Sequence, residues 1–320
     1  MNTKPYFGLD TGMGNIKLYG EHGGIVFASQ AAINGTRRLA NIAGLNTAKP
    51  PLQIKVAGGS FYVGVNAHNW GRAVENLSYE RLSGGPEMRA LVYAAFTEYI
   101  KLHGTPESAQ ILVGLPNEVL LNDNDSRAVE QWLTGEHIWQ ADRTEYRINI
   151  RRVKATSQAS GALFDHALDL NSKVVSQRST VLKGEIGICS VGFKTIELLV
   201  LQGKTPVPGM TASASKGVRR LMEILNPNKN FTLGELDSML RSGTLPFKPA
   251  LPLWADEVWG AIDEIWEQRW RRFDAIVLVG GGATLLKEHL LTRFEGKATI
   301  PDEPILAIAR GLFKLAPMVK

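Results

Sequence analysis

Two glycine-bearing stretches have the residue types for phosphate chemistry. The first is Asp10-Thr-Gly-Met-Gly-Asn-Ile-Lys17, which follows the short apolar run Tyr6-Phe-Gly-Leu9. A turn with Gly12 and Gly14 lets backbone N–H groups converge on a phosphate without Cβ obstruction. Asp10, at a strand end, can hold a metal-bound water, and Lys17 can reach phosphate oxygens as a point charge. Taken alone, the same pattern also describes a plain hairpin. The second stretch runs from Val277 to Leu286 and contains Gly280, Gly281 and Gly282 in succession. Three glycines between a buried strand and a helix permit close approach by a flat ring or a phosphate, with the helix N-terminus aimed at it.

Other chemistries find little support. Cys189 is the single cysteine of the 320 residues, which excludes an internal disulfide framework and a cysteine-based zinc site. No histidine lies near it in sequence, so it reads as a buried small hydrophobe rather than a nucleophile. The six histidines show no metal-ligand spacing. The net charge of +5 suits a polyanionic partner, but the basic residues are scattered as Arg37-Arg38, Arg151-Arg152, Arg219-Arg220, and Arg269 with Arg271-Arg272. Nothing reads as a zinc finger or a basic recognition helix, so no direct sequence-specific DNA binding is expected. With 44% hydrophobic and 21% charged residues the chain is an ordinary globular one, long enough for roughly two domains. No apolar run approaches the ~18–20 residues that span a bilayer. The start, MNTKPYFGLD, lacks the apolar core of a secretory signal, so no membrane partner and a cytoplasmic address are expected.

The elements that must position these residues come twice. Residues 6–10 and 15–19 form a hairpin around the first turn, residues 22–70 continue β-rich, and Met88, Leu91, Val92, Ala95, Phe96 and Ile100 predict a helix over 85–102. A buried strand at 110–114 precedes a helical stretch reaching about Leu133. In the second half, 185–189 and 195–201 predict strands around a glycine-containing turn. A helix is expected over 213–225, a polar insertion over 227–250 with a small helix at 232–240, and a longer helix over 253–273. That last helix carries Trp259, Trp266 and Trp270 on one face, read as core packing or, alternatively, as a filament or partner contact. Strand 275–279, the triple glycine and another helix follow. This is the pattern of a duplicated α/β unit with ligand between the halves.

Five stretches together resemble one superfamily. Phe7 to Lys17 resembles the first phosphate motif of the actin, sugar-kinase and heat-shock-chaperone ATPases, and Ile276 to Leu286 resembles their adenosine motif. Ser157 to Asp165 is similar to the first connecting helix, and Pro304 to Leu312 to the second. Ile111-Leu-Val-Gly-Leu-Pro116 resembles a signature of the bacterial and archaeal actin-like branch, which includes the ParM/StbA plasmid-segregation proteins. The matches keep superfamily order from residue 7 to 312, and the short insertions suit a filament-forming protein better than a chaperone.

The resemblance implies two actin-like (ribonuclease H-like) α/β domains with a nucleotide cleft between them. Domain I would be 1–155 plus 304–320 with a small subdomain near 22–70; domain II would be 156–303 with one near 227–250. It implies ATP or GTP with Mg²⁺ as ligands. Asp10 would lie near the Mg²⁺ hydration shell, Gly12, Met13, Gly14 and Asn15 would give backbone contacts to the β-phosphate, and Lys17 a phosphate contact. Gln158 matches the glutamine that helps place the attacking water. Gly280, Gly281 and Gly282 would line the adenosine pocket, with Lys216 and Gly217 near ribose and base. In the second phosphate motif Gly192 and Thr195 match, Ser190 stands where an aspartate is expected, and Glu197 replaces a later aspartate. A serine hydroxyl can hold a metal water but brings no charge, so slow hydrolysis is implied. The implied function is a filament-forming nucleotide hydrolase for plasmid or DNA segregation, acting through a separate DNA-binding adaptor. The alternatives are a nucleotide-binding switch with little hydrolysis, a small-molecule kinase of the same superfamily, and a direct DNA binder.

Overall fold

A computed structural model describes residues 6–33 and 49–319. Arg37-Arg38 and part of the expected 22–70 subdomain lie outside the described residues. The first hairpin pairs strand Tyr6–Thr11 antiparallel with Asn15–Gly20, placing Asp10 opposite Lys17. Tyr6–Thr11 also runs parallel to Ala109–Leu115, which runs parallel to Thr144–Ser157. The sheet continues through Gly135–Ala141 to the short strands of residues 31–33 and 52–73, ten strands among the described residues. Its core face is covered by the helix Pro86–His103, whose six expected apolar residues are all buried. Pro86 opens that helix, where a missing N–H costs nothing, and Gly104, at φ 84°, ends it.

The second half repeats the arrangement. Glu185–Val191 pairs antiparallel with Ile196–Gln202, placing Ser190 opposite Glu197, and runs parallel to Ala275–Val279. Asp10 and Ser190 thus occupy equivalent places, as do Lys17 and Glu197. Two helices lie between the sheets: Gln158–Ala167, capped by the Ser157 hydroxyl, and Ala307–Leu315. Their apolar residues Ala162, Leu163, Ile308 and Leu312 join one core with Leu112 of the first sheet and Ile188 and Val277 of the second. Sequestering that surface from water ties the halves together at about 25 cal/mol per Å² of apolar area.

The two helices cross at backbone contact, because a Cβ on Gly311 would overlap the Gly161 carbonyl oxygen. Beside the crossing, Arg310 donates from Nε and Nη2 to the two Asp165 carboxylate oxygens, each at 2.8 Å. The Lys314 ammonium lies 2.7 Å from Oδ1. Burial pulls the Lys314 pKa down, while bonding to Asp165 holds that of Arg310 up.

Three expectations need correction. The helix expected over 213–225 begins only at Val218, because Ala212–Ala214 adds a strand to the returning edge of the second hairpin. The helix expected over 253–273 is Leu251–Trp266; Glu267, at φ 47°, breaks it, and a 3₁₀ turn carries Trp270. Trp259 and Trp270 still meet, both edge-on to Phe294, so the tryptophans pack a core. The helical stretch before Leu133 is two pieces, Asn117–Leu120 and Asp123–Leu133. No helix among the described residues is long and apolar enough to cross a membrane.

Candidate functional site

The strand ends of both hairpins, the triple-glycine turn and the helix at Gln158 open onto one cleft of about 270 Å³. Asp10, Gly12, Met13, Gly14, Asn15, Lys17, Gln158, Ser190, Gly192, Gly280 and Gly281 all line it. Asp10 sits at its floor, 1% exposed, and each of its carboxylate oxygens is engaged. Oδ2 accepts from Lys17 Nζ at 2.9 Å and Oδ1 from Gln158 Nε2 at 2.8 Å. The cross-strand register delivers the lysine, and the start of the Gln158–Ala167 helix delivers the amide from 148 residues away. No donor among the described residues reaches the Gln158 carbonyl oxygen. Thr11 Oγ1 is buried at the cleft wall without a hydrogen-bond partner among the described residues.

On the opposite wall, Ser190 is buried and Glu197 faces the same cleft. Glu197 Oε1 accepts from Thr195 Oγ1 at 3.1 Å and from Ser213 Oγ at 2.8 Å. Burial raises its carboxyl pKa, and these two hydroxyls act in the other direction. The two glycine turns touch: a Cβ on Gly14 would press on the Phe193 side chain. Lys194 Nζ reaches across to the Leu77 carbonyl at 3.0 Å and lies 4.3 Å from the centre of the Tyr79 ring.

Three expected residues lie off the lining. Lys216 is turned to Glu257, at 3.1 Å, in a cluster with Arg220; bonding to Arg220 holds the Glu257 carboxyl down to about 2. Gly217 serves packing, since a Cβ there would overlap the Gly192 and Phe193 carbonyls, which accept from the N–H groups of Val218 and Arg219. Gly282 packs on Val191 behind the cleft. Cys189 is fully buried, with its thiol pushed up to about 12 by desolvation, which disposes of a nucleophilic role.

Sequence reasoning missed Tyr79, Lys194, Asp237, Arg241 and Thr284, which also line the cleft. Asp237 and Arg241 belong to helix Leu233–Arg241 of the polar insertion, where the only local signal is a Thr232–Glu235 capping box. That box announces a helix and says nothing of what it faces.

Chemically, the cleft offers a carboxylate at its floor, a lysine, an amide carbonyl and a triple-glycine turn that is open at Gly281. Among the described residues, a Cβ on Gly281 would meet only Ile305, at 3.9 Å, whereas one on Gly192 would crowd the Thr195 backbone carbonyl, at 3.1 Å. With the unsatisfied Thr11 hydroxyl, this fits a polar, phosphate-bearing ligand. Asp10 and Glu197 suit a cation held through water; among the described residues no three His, Cys, Asp or Glu side chains converge to ligate one directly.

Comparison with known proteins agrees with this architecture. Residues 8–161 match the family described as actin like proteins, N terminal domain. A crystal structure of an archaeal actin homologue superimposes with a TM-score of 0.74 at 20% identity, covering 99% of this chain and 100% of that one. The 15-stranded ParM filament from Clostridium botulinum gives 0.73 at 20% identity, covering 99% and 100%. The same archaeal homologue in complex with ADP gives 0.72 at 18% identity, covering 98% and 99%. No curated protein matches the sequence.

Proposed function

From an actin-like N-terminal domain over residues 8–161, within a chain that has the actin-like fold throughout, we propose that this protein binds a nucleoside triphosphate in the cleft, hydrolyses it slowly, and assembles into filaments. The observation that carries the reading is the Asp10–Lys17–Gln158 network at the floor of a cleft closed by two equivalent hairpin turns. In this reading residues 1–155 with 304–320 form one domain, 156–303 form the second, and the nucleotide state biases how the domains close. The ligand is ATP or GTP with Mg²⁺; the ion supplies charge neutralisation to the phosphates. The N–H groups of Gly12 to Asn15 receive phosphate oxygens, Lys17 adds a positive charge, and Gly280 and Gly281 admit the nucleoside. Gln158, fixed through its amide by Asp10, offers its carbonyl oxygen to the attacking water.

Filament assembly is supported by the filament among the similar structures and by the general tendency of head-to-tail contacts to build open helices. A role in plasmid or DNA segregation through a DNA-binding adaptor, in the cytoplasm, extends the same reading. Phosphate release from Mg-ATP and Mg-GTP, measured against protein concentration alongside sedimentation, tests it. A rate that rises above a threshold concentration together with pelleting is expected; absence of nucleotide binding would remove the proposal.

Ser190 favours a second reading, a nucleotide-binding switch that barely hydrolyses. Glu197 bears on the choice, because it puts a carboxylate directly across the strand pair from Ser190. If Glu197 supplies the negative charge on this wall, Glu197→Gln lowers phosphate release by about tenfold or more, and Ser190→Asp, which would face Glu197 as a like charge, brings no gain. A large gain in Ser190→Asp would instead establish the switch.

A further inference from the structure

The polar insertion reaches across the cleft onto the first glycine turn. Arg241, at the end of helix Leu233–Arg241, donates from Nη2 to the Gly14 carbonyl and from Nη1 to Asn15 Oδ1, both at 2.8 Å. Its Nε donates to Asp237 Oδ2 at 2.8 Å, which holds the guanidinium plane from behind. The same Asp237 oxygen accepts from Gln30 Nε2, at 2.6 Å, on the opposite lip. Gln30 also meets Ser238 Oγ at 3.2 Å, and the Asn66 N–H lies within hydrogen-bonding distance of Gln30 Oε1 and Ser238 Oγ. Asp237 and Ser238 are both buried. Apart from the Arg241–Asp237 pair within the helix, every bond joins segments more than 30 residues apart.

We propose that this helix is a latch on the cleft and that Arg241 is a positioning residue for the glycine turn. The proposal rests on the nucleotide-site reading above and names the device that governs entry and exit of a nucleoside di- or triphosphate. A guanidinium is planar and presents its donors in a rigid fork. With Asp237 fixing the fork, its two acceptors on the turn, the Gly14 carbonyl and Asn15 Oδ1, are held in one geometry, beside the Ser29 N–H that also reaches the Gly14 carbonyl at 3.0 Å. That geometry is the one in which the N–H groups of residues 12–15 would meet phosphate oxygens. Asp237 ties Arg241 to Gln30 on one rigid helix, so separating the lips breaks the Gln30–Asp237 bond together with the Arg241 bonds to Gly14 and Asn15. Opening is therefore a concerted step rather than a gradual loosening. Gln30 itself does not line the main cleft; its side chain acts on the turn through Asp237 and Ser238, while its neighbour Ser29 donates directly to the Gly14 and Gly12 carbonyls.

Two measurements separate this proposal from the site reading. In the ligand-free protein, amide hydrogen exchange of residues 12–15 should be several-fold faster in Arg241→Ala and in Gln30→Ala than in the wild type, measured relative to the exchange of the buried core strand Ala275–Val279 in the same variants. Unchanged exchange in both variants overturns the latch, whatever the nucleotide experiments give. In stopped flow, a fluorescent ADP analogue should leave Arg241→Ala and Gln30→Ala at least tenfold faster, with Arg241→Lys intermediate because an ammonium cannot reproduce the fork. Wild-type binding with equal release rates in all variants also overturns the latch. Failure of the wild type to bind the analogue removes the site reading and leaves the exchange result to decide the latch.

Discussion

Replacing Asp10 by asparagine is expected to cut nucleotide-dependent phosphate release by about 10²-fold or more while the protein stays folded. The substitution keeps the shape of the side chain and removes its charge. Asp10 is 1% exposed, and both its oxygens are occupied by Lys17 and Gln158. An asparagine can still accept from one of the two through its carbonyl oxygen, but its NH₂ group faces a second donor. Lys17 then loses its counter-ion and Gln158 its anchor, so the proposed phosphate contact and the proposed acceptor for the attacking water move together. Loss of catalysis should therefore exceed loss of nucleotide affinity, and single-turnover rates beside equilibrium binding measure the two separately. A variant with wild-type turnover would show that the floor of the cleft is structural only.

The second large effect concerns the crossing of the two helices between the sheets. Gly311→Ala should destabilise the protein by about 3 kcal/mol, read as a lowered midpoint in urea unfolding. Alanine is the better helix former, worth roughly 1 kcal/mol over glycine. Here the added methyl overlaps the Gly161 carbonyl oxygen, and the Asp165 amide nitrogen is also close. Both are backbone atoms of a helix packed on the opposite side, so they cannot rotate away as a side chain would. The clash wins over the propensity. Gly260, in helix Leu251–Trp266, is exposed, and a Cβ there meets nothing among the described residues within 4 Å. Gly260→Ala should show the propensity gain alone, and equal effects of the two substitutions would refute the argument.

Sequence by itself determined the local elements and the identity of the residues that could act. Short apolar strands ending in Asp10-Thr-Gly and Cys189-Ser-Val-Gly, the apolar spacing from Met88 to Ile100, and the triple glycine at Gly280 specify hairpins, a helix and an open turn. The causes lie within a few residues: side-chain periodicity, the left-handed freedom of glycine, and caps such as Ser157. Order along the chain was enough to recognise the duplicated plan and its resemblance to actin-like proteins. The break at Glu267 was not legible, because the tryptophan spacing Trp259, Trp266, Trp270 continues through it. Nor was the start of the Val218–Leu225 helix, where pairing with Ile196–Gln202 overrides helix propensity upstream.

Tertiary structure alone decided which of the candidate residues meet. Lys216 and Gly217 have the right types and approximate positions, yet Glu257, 41 residues away, draws the lysine off and the Gly192 turn takes the glycine. Conversely, Arg241 belongs to the cleft only because the insertion folds back over a turn 227 residues earlier. Pairings across such distances depend on how two sheets and two crossed helices set the cleft walls. That geometry comes from the sum of buried contacts in the shared core, which no single stretch of sequence encodes.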